Sequence, residues 1–188
     1  MDARIFAKIK KKELNLRLVL IVFFLGLALF YAYGIQAGQG GQMNLSSPDF
    51  KNNGLIPKKF TCEGQDINPA LLIQGIPESA QSLALIVDDP DAPMGTWVHW
   101  VLYDIPIISR IEEGSAPGKK GVNDSGPGDY AGPCPPSGTH RYFFKIYALD
   151  KKLNLGEGLS KKELEEAMEG HILEKAELVG LYKKARGN

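Results

Sequence analysis

A chain of 188 residues, 44% hydrophobic and 23% charged, is long enough for one domain with a real core and some chain to spare. Its 22 Lys+Arg offset 22 Asp+Glu, so no bulk charge pulls it toward nucleic acid, and no nucleic-acid partner is expected. Gly 21 and Pro 12 point to a loop-rich, β-dominated body.

The N-terminal segment 1–17 is basic: Arg4, Lys8, Lys10, Lys11, Lys12 and Arg17 stand against Asp2 and Glu13. An uncharged run, LVLIVFFLGLALFYAYGI, follows at 18–35. At about 1.5 Å of rise per residue it just reaches across a bilayer core of roughly 30 Å. The expectation is a single transmembrane helix, N-terminus cytoplasmic and the rest extracytoplasmic, since the basic residues precede it. The alternative is a cleaved signal peptide and a secreted domain, suggested by the small residues Ala32, Gly34 and Ala37. QAGQGGQMNLSSP, 36–48, reads as a flexible linker, and the domain is assigned to 49–188.

Strands are expected at LLIQGIP (71–77) and SLALIVDDP (82–90), short apolar runs ended by glycine or proline. TWVHWVLYDIP (96–106) alternates, with Trp97, His99, Val101 and Tyr103 on one face. The loop 112–128 is rich in glycine and charge and is expected to be exposed. HRYFFKIYALD (140–150) alternates again, with His140, Tyr142, Phe144 and Ile146 together. Ser160 and Glu163 form a capping-box signature, and Leu164, Met168 and Ile172 recur at helical spacing. A helix with a basic end running on to Lys184 is expected, with His171 a packed residue upon it. The fold class is mainly β, a sandwich of two antiparallel sheets with a peripheral C-terminal helix, preceded by the transmembrane helix.

The chemistry concentrates in two stiff loops. DDPDAP (88–93) sets carboxylates between prolines at the end of a strand, which holds them rather than letting them swing into water. GPCPPSGTH (132–140) feeds a rigid loop into a strand opening with His140. His99 stands in mid-strand among tryptophans, a costly place for a polar ring without a partner. Three readings compete. A metal site lacks HxH or HExxH spacing, and no metal or cofactor is expected. A weak hydrolase would use His140 as base with Ser137 or Cys134 as nucleophile, but has no GxSxG elbow. An anion pocket would draw on backbone amides of Gly132 and Cys134 and on His99, His140 and Tyr142, with aspartates receiving the histidine protons. The third is preferred, and no catalytic residues are assigned.

DPDAP, the W-x-H of WVHW and GPCPPSGTHRYFF, in that order, resemble the phosphatidylethanolamine-binding protein family, the Raf-kinase-inhibitor-like proteins. FTCEGQDINPALLIQGIP, YALD and GHILEKAELVGLY resemble its bacterial and archaeal YbhB/YbcL-type branch, over roughly 44–182. The resemblance implies a β-sandwich with a small pocket for phosphate or phosphorylated headgroups at one edge. It implies Asp89, Asp91, His99, His140 and Tyr142 as pocket residues, with Gly132, Cys134 and Pro136 in the lining loop; Trp97, sharing the His99 face, is a further wall. By alternation Arg141 points away from the pocket and pairs with a carboxylate. The function expected is a membrane-tethered binding module for a small anionic ligand, a phospholipid headgroup included, and a modulator or inhibitor of an unidentified partner enzyme. Inhibition of a secreted protease through the 112–128 loop is a further alternative. Cys62 and Cys134 are the two cysteines; as exported residues they either pair or remain separate thiols, and the sequence leaves both open.

Overall fold

A computed structural model describes residues 42–185. Its strands in chain order are β1 (Asn44–Ser46), β2 (Gly54–Leu55), β3 (Leu71–Gln74), β4 (Ser82–Asp89), β5 (Trp97–Ile105), β6 (Arg110–Ile111), β7 (Lys119–Lys120), β8 (Val122–Asn123), β9 (Gly126–Pro127), β10 (His140–Leu149) and β11 (Ile172–Tyr182). One α-helix, α1 (Lys161–Met168), lies between the last two strands. Six strands form the large sheet in the order β2-β11-β10-β4-β5-β7, three form a small sheet, β1-β3-β6, and β8-β9 is a separate hairpin. All pairings are antiparallel except β11 with β2.

The large sheet is covered on both faces, and strand parity decides what each residue meets. Leu83, Leu85 and Val87 of β4, with Phe144 and Ile146 of β10, face a core shared with Leu45, Leu71, Ile73 and Ile111 of the small sheet. Ala84 and Ile86 of β4 face the other way, with Val101, Tyr103 and Tyr147, into a second cluster closed by Leu164 and Met168 of α1. All eight residues of β4 are buried, which is why its centre, LALIV, is an unbroken apolar run rather than an alternating one. β10 alternates over its first six residues, whereas β5 is buried on both faces from His99 to Tyr103. A register shift that leaves His99 between the paired Val98 and Trp100 separates Trp97 and His99 from Val101 and Tyr103, which were expected on the same face.

The mainly β fold with a late helix agrees with the sequence expectation; the preceding transmembrane helix does not stand as part of the fold class. Residues 18–35 lie outside the described residues, and among those described no helix is long and apolar enough to cross a membrane. The helix is also shorter than expected. Its capping box forms, with Ser160 Oγ accepting from the Glu163 amide and the Glu163 carboxylate accepting from the Ser160 amide at 2.8 Å. It ends at Met168, and Gly170 turns the chain at φ +74°. From Ala176 the period is two: Ala176, Leu178 and Tyr182 are buried between exposed or half-buried neighbours, and the segment Ile172–Tyr182 pairs along β10 as the longest strand described. Ile172, counted as a helical apolar position, is 44% exposed. His171 is therefore a turn residue, its Nδ1 donating to Asp150 Oδ1 at 2.9 Å and its Nε2 facing Lys151 Nζ at 2.8 Å. Strand β1 lies within 36–48, with Met43 and Leu45 buried in the core.

Candidate functional site

The end of β4, the start of β5 and the start of β10 meet beside the 131–137 loop and enclose a cavity of about 740 Å³. Consecutive aspartates of β4 serve opposite faces. Asp88 turns outward, 1% exposed, and binds Lys145 Nζ at 2.7 Å and Lys161 Nζ at 2.6 Å, fastening the first residue of α1 to the sheet. Asp89 turns into the cavity. Its Oδ2 accepts from His140 Nδ1 at 2.7 Å, and its Oδ1 accepts from the Asp91 amide at 2.8 Å. One carboxylate thus orients the imidazole and pins the DPDAP turn.

His99 is held from the other side. Its Nδ1 lies 2.6 Å from the Ala131 carbonyl oxygen, which can only accept, so Nδ1 carries the proton. Its ring meets Tyr142 edge-on, centroids 5.2 Å apart. Burial holds the His99 imidazole below the ordinary histidine range, against the upward pull of the Ala131 bond and the Asp89 charge. Burial also raises the Tyr142 phenol above its usual range, and the Asp89 and Asp91 charges add to this. Both phenol and imidazole are therefore neutral donors and acceptors near neutral pH.

The loop wall is held by a distant segment. Cys62 and Cys134 form a disulfide, Cα atoms 5.5 Å apart. Around it the Cys62 amide donates to the Pro133 carbonyl at 3.3 Å, Tyr130 Oη donates to the Phe60 carbonyl at 3.1 Å, and the Gly132 amide donates to Asp66 Oδ1 at 2.7 Å. Gly132 is required by this approach, because a Cβ there would sit 2.5 Å from the Phe60 carbonyl oxygen.

Trp97, His99, Gly132, Cys134, Pro136, His140, Tyr142 and Asp89 all line the cavity. Asp91 does not: Arg141 grips it through Nε at 2.9 Å and Nη2 at 2.6 Å, and that hydrogen bonding holds the carboxyl down at about 2. Arg141 has the structural partner its parity implied. Of the two backbone donors expected of the loop, the Gly132 amide is already engaged with Asp66. Asp124, Ser125 and Thr96 line the cavity without having been singled out. Asp124 and Ser125 belong to the 112–128 loop, whose polar composition gave no sign that Asp124 would accept the Val98 amide at 2.7 Å and close one side of the cavity. Of the two nucleophile candidates, Cys134 is consumed by the disulfide and Ser137 is exposed and not part of the lining. Among the described residues no group of three His, Cys, Asp or Glu is arranged to hold a metal.

Residues 46–183 match the family described as phosphatidylethanolamine-binding protein. The chain belongs to that family. A UPF0098 protein of Methanothermobacter thermautotrophicus is 50% identical over 153 residues, covering 76% of this chain and 99% of that protein. A UPF0098 protein of Aquifex aeolicus is 44% identical over 168 residues, covering 84% and 98%. Among solved structures, a phosphatidylethanolamine-binding protein homolog from Chlamydia trachomatis is similar with a TM-score of 0.75 and 43% identity, covering 77% of this chain and 99% of the other. E. coli YbcL, described as a member of the mammalian PEBP family, gives a TM-score of 0.71 at 26% identity, covering 77% and 100%. Family membership and fold thus agree with the motif resemblance, within the bacterial and archaeal branch.

Proposed function

We propose that this domain is a binding module whose cavity takes a small phosphate-bearing anion. The observation that carries the reading is the convergence of two imidazoles and a phenol on one cavity, each imidazole held by a hydrogen bond through Nδ1. His99 and His140 spend Nδ1 on Ala131 and Asp89, and Tyr142 packs edge-on against His99. Membership of a family named for binding phosphatidylethanolamine supports the ligand class. Modulation of a partner enzyme belongs to the same proposal and is supported by the apolar lip of the cavity, where Met94 is fully exposed and Trp97 41% exposed. The disulfide favours an oxidising compartment for the domain.

Calorimetric titration of inorganic phosphate into wild type and His140→Ala tests the reading. Truncation is expected to weaken binding by about tenfold or more, the value of one hydrogen bond to a charged group, with the fold retained. Binding is also expected to strengthen as pH falls through and below the ordinary histidine range. His99, with its lowered pKa, takes up a proton there more readily beside an anion than in the empty cavity. Equal affinity for the two proteins, at every pH, would remove the cavity from the proposal.

A further inference from the structure

A second cavity, of about 390 Å³ and within the size range of ligand sites, shares no lining residue with the first. Trp100 of β5 and Tyr130 give it an aromatic wall, their rings edge-on with centroids 5.6 Å apart. Asp66, Asn68 and Ser115 also line it, and the ion pair of Lys120 with Asp129 stands at its more exposed side.

The polar groups of this cavity are one-sided. Asn68 Nδ2 donates to the Pro69 carbonyl at 3.1 Å and the Glu112 carbonyl at 2.9 Å, which fixes the amide and leaves Oδ1 as its acceptor. Among the described residues that oxygen receives no donor, and the one fully sealed side-chain N or O atom without a partner is Trp100 Nε1. Asn68 Oδ1 therefore opens on the cavity, although the residue is only 4% exposed. The side-chain donors, by contrast, are spent. Ser115 Oγ donates to the Glu112 carbonyl at 2.8 Å, Tyr130 Oη to the Phe60 carbonyl at 3.1 Å, and Lys120 Nζ to the Asp129 carboxylate. Asp66 gives Oδ1 to the Gly132 amide, and its second oxygen has no partner among the described residues. Two carboxylates, Asp66 and Asp129, thus stand against the one ammonium of Lys120; the nearby Lys59 is paired with Glu113.

We propose that this cavity is a second binding site, for a small organic cation rich in N–H donors: a guanidinium or primary ammonium on a short apolar stem. Its N–H groups donate to Asn68 Oδ1 and to the Asp66 carboxylate, a charge-assisted pair, while its stem or guanidinium plane lies on Trp100 and Tyr130. An anion meets no free side-chain donor there. A metal ion fares no better, since among the described residues no group of three His, Cys, Asp or Glu is arranged to hold one. A neutral amide matches the acceptors but leaves the excess carboxylate charge unbalanced. The site stands apart from the anion cavity and does not depend on what that cavity binds.

The chain has two tryptophans, Trp97 on the first cavity and Trp100 on the second, so indole N–H NMR tells the two sites apart. Titrating the full chain with ethylguanidinium is expected to move the Trp100 resonance along a saturation curve and leave Trp97 in place. Ethylurea, its uncharged isostere, and tetramethylammonium, a cation without N–H donors, are each expected to bind about tenfold or more weakly. Asp66→Asn is expected to weaken ethylguanidinium by about tenfold. Asp129→Asn, at an exposed position where the fold is not at stake, is expected to weaken it by about threefold. A Trp100 signal that stays fixed, or movement of Trp97 alone, overturns the proposal. So does ethylurea or tetramethylammonium equal to ethylguanidinium, or unchanged affinity in either variant that folds. An end-blocked Gly-Arg-Gly peptide separates the sources of the cation. Tighter binding than ethylguanidinium marks a basic side chain of a protein, and equal or weaker binding a free small molecule; both sustain the site.

Discussion

Replacing Cys62 and Cys134 by serine is expected to lower the unfolding free energy by about 4 kcal/mol. The bond joins positions 72 apart, so cutting it releases a long loop in the unfolded chain. What it fastens is equally specific. Segment 58–66 leans on the cavity wall through the Cys62, Tyr130 and Gly132 hydrogen bonds, and each of these is a neutral or charge-assisted bond worth about 1 kcal/mol that the disulfide keeps in register. Both cysteines are exposed, so a small dithiol reaches the bond without unfolding the protein. Thermal unfolding with and without reductant reads the effect as a fall in Tm on the order of 10 °C. A shift of a degree or less would mean that the hydrogen bonds hold the wall unaided.

The second large effect is expected at Asp88. Its carboxylate is 1% exposed and receives two lysines, which are themselves about three-quarters buried. Asp88→Ala deletes the shared anion and leaves two cations facing an apolar cluster, with a loss of about 3 kcal/mol in urea unfolding. Because Asp88 lies on the helix side of the sheet, phosphate affinity is expected to stay within about a factor of two of wild type, as for separate sites. A loss of phosphate binding without a loss of stability would reverse the assignment of faces to Asp88 and Asp89.

That assignment of faces marks the border of what the sequence could tell. Strand parity placed His140 and Tyr142 together, because the start of β10 keeps a period of two. On β5 it failed, because an irregularity at His99 leaves Trp97 and His99 on the cavity while Val101 and Tyr103 turn to the helix side. The stiffness of DPDAP and GPCPP was legible from their prolines, and the motif order identified the family. Parity within β4 sets Asp88 and Asp89 on opposite faces, but only the structure shows which of them binds lysines and which orients an imidazole. Asp91 was assigned to the pocket by motif, yet it belongs to Arg141, whose expected carboxylate partner had no name in the sequence. The Gly132 amide looked free because its partner, Asp66, is 66 positions away. The late strand was misread for a local reason: Leu164, Met168 and Ile172 are spaced by four, and that coincidence outweighed the glycine at 170 and the alternation beginning at Ala176. Asp124 and Ser125 were hidden by composition, since a loop of glycines and charges looks the same whether it faces solvent or closes a cavity.

The anion reading comes down to two ring nitrogens, and imidazole nitrogen NMR observes them directly. The chain has three histidines, so each can be followed while inorganic phosphate is added. The Nε2 resonances of His99 and His140 are expected to move together along one saturation curve, while His171, closed off between Asp150 and Lys151, stays still. If the His99 and His140 nitrogens remain fixed at saturating phosphate, or His171 moves as they do, the cavity is not the anion site.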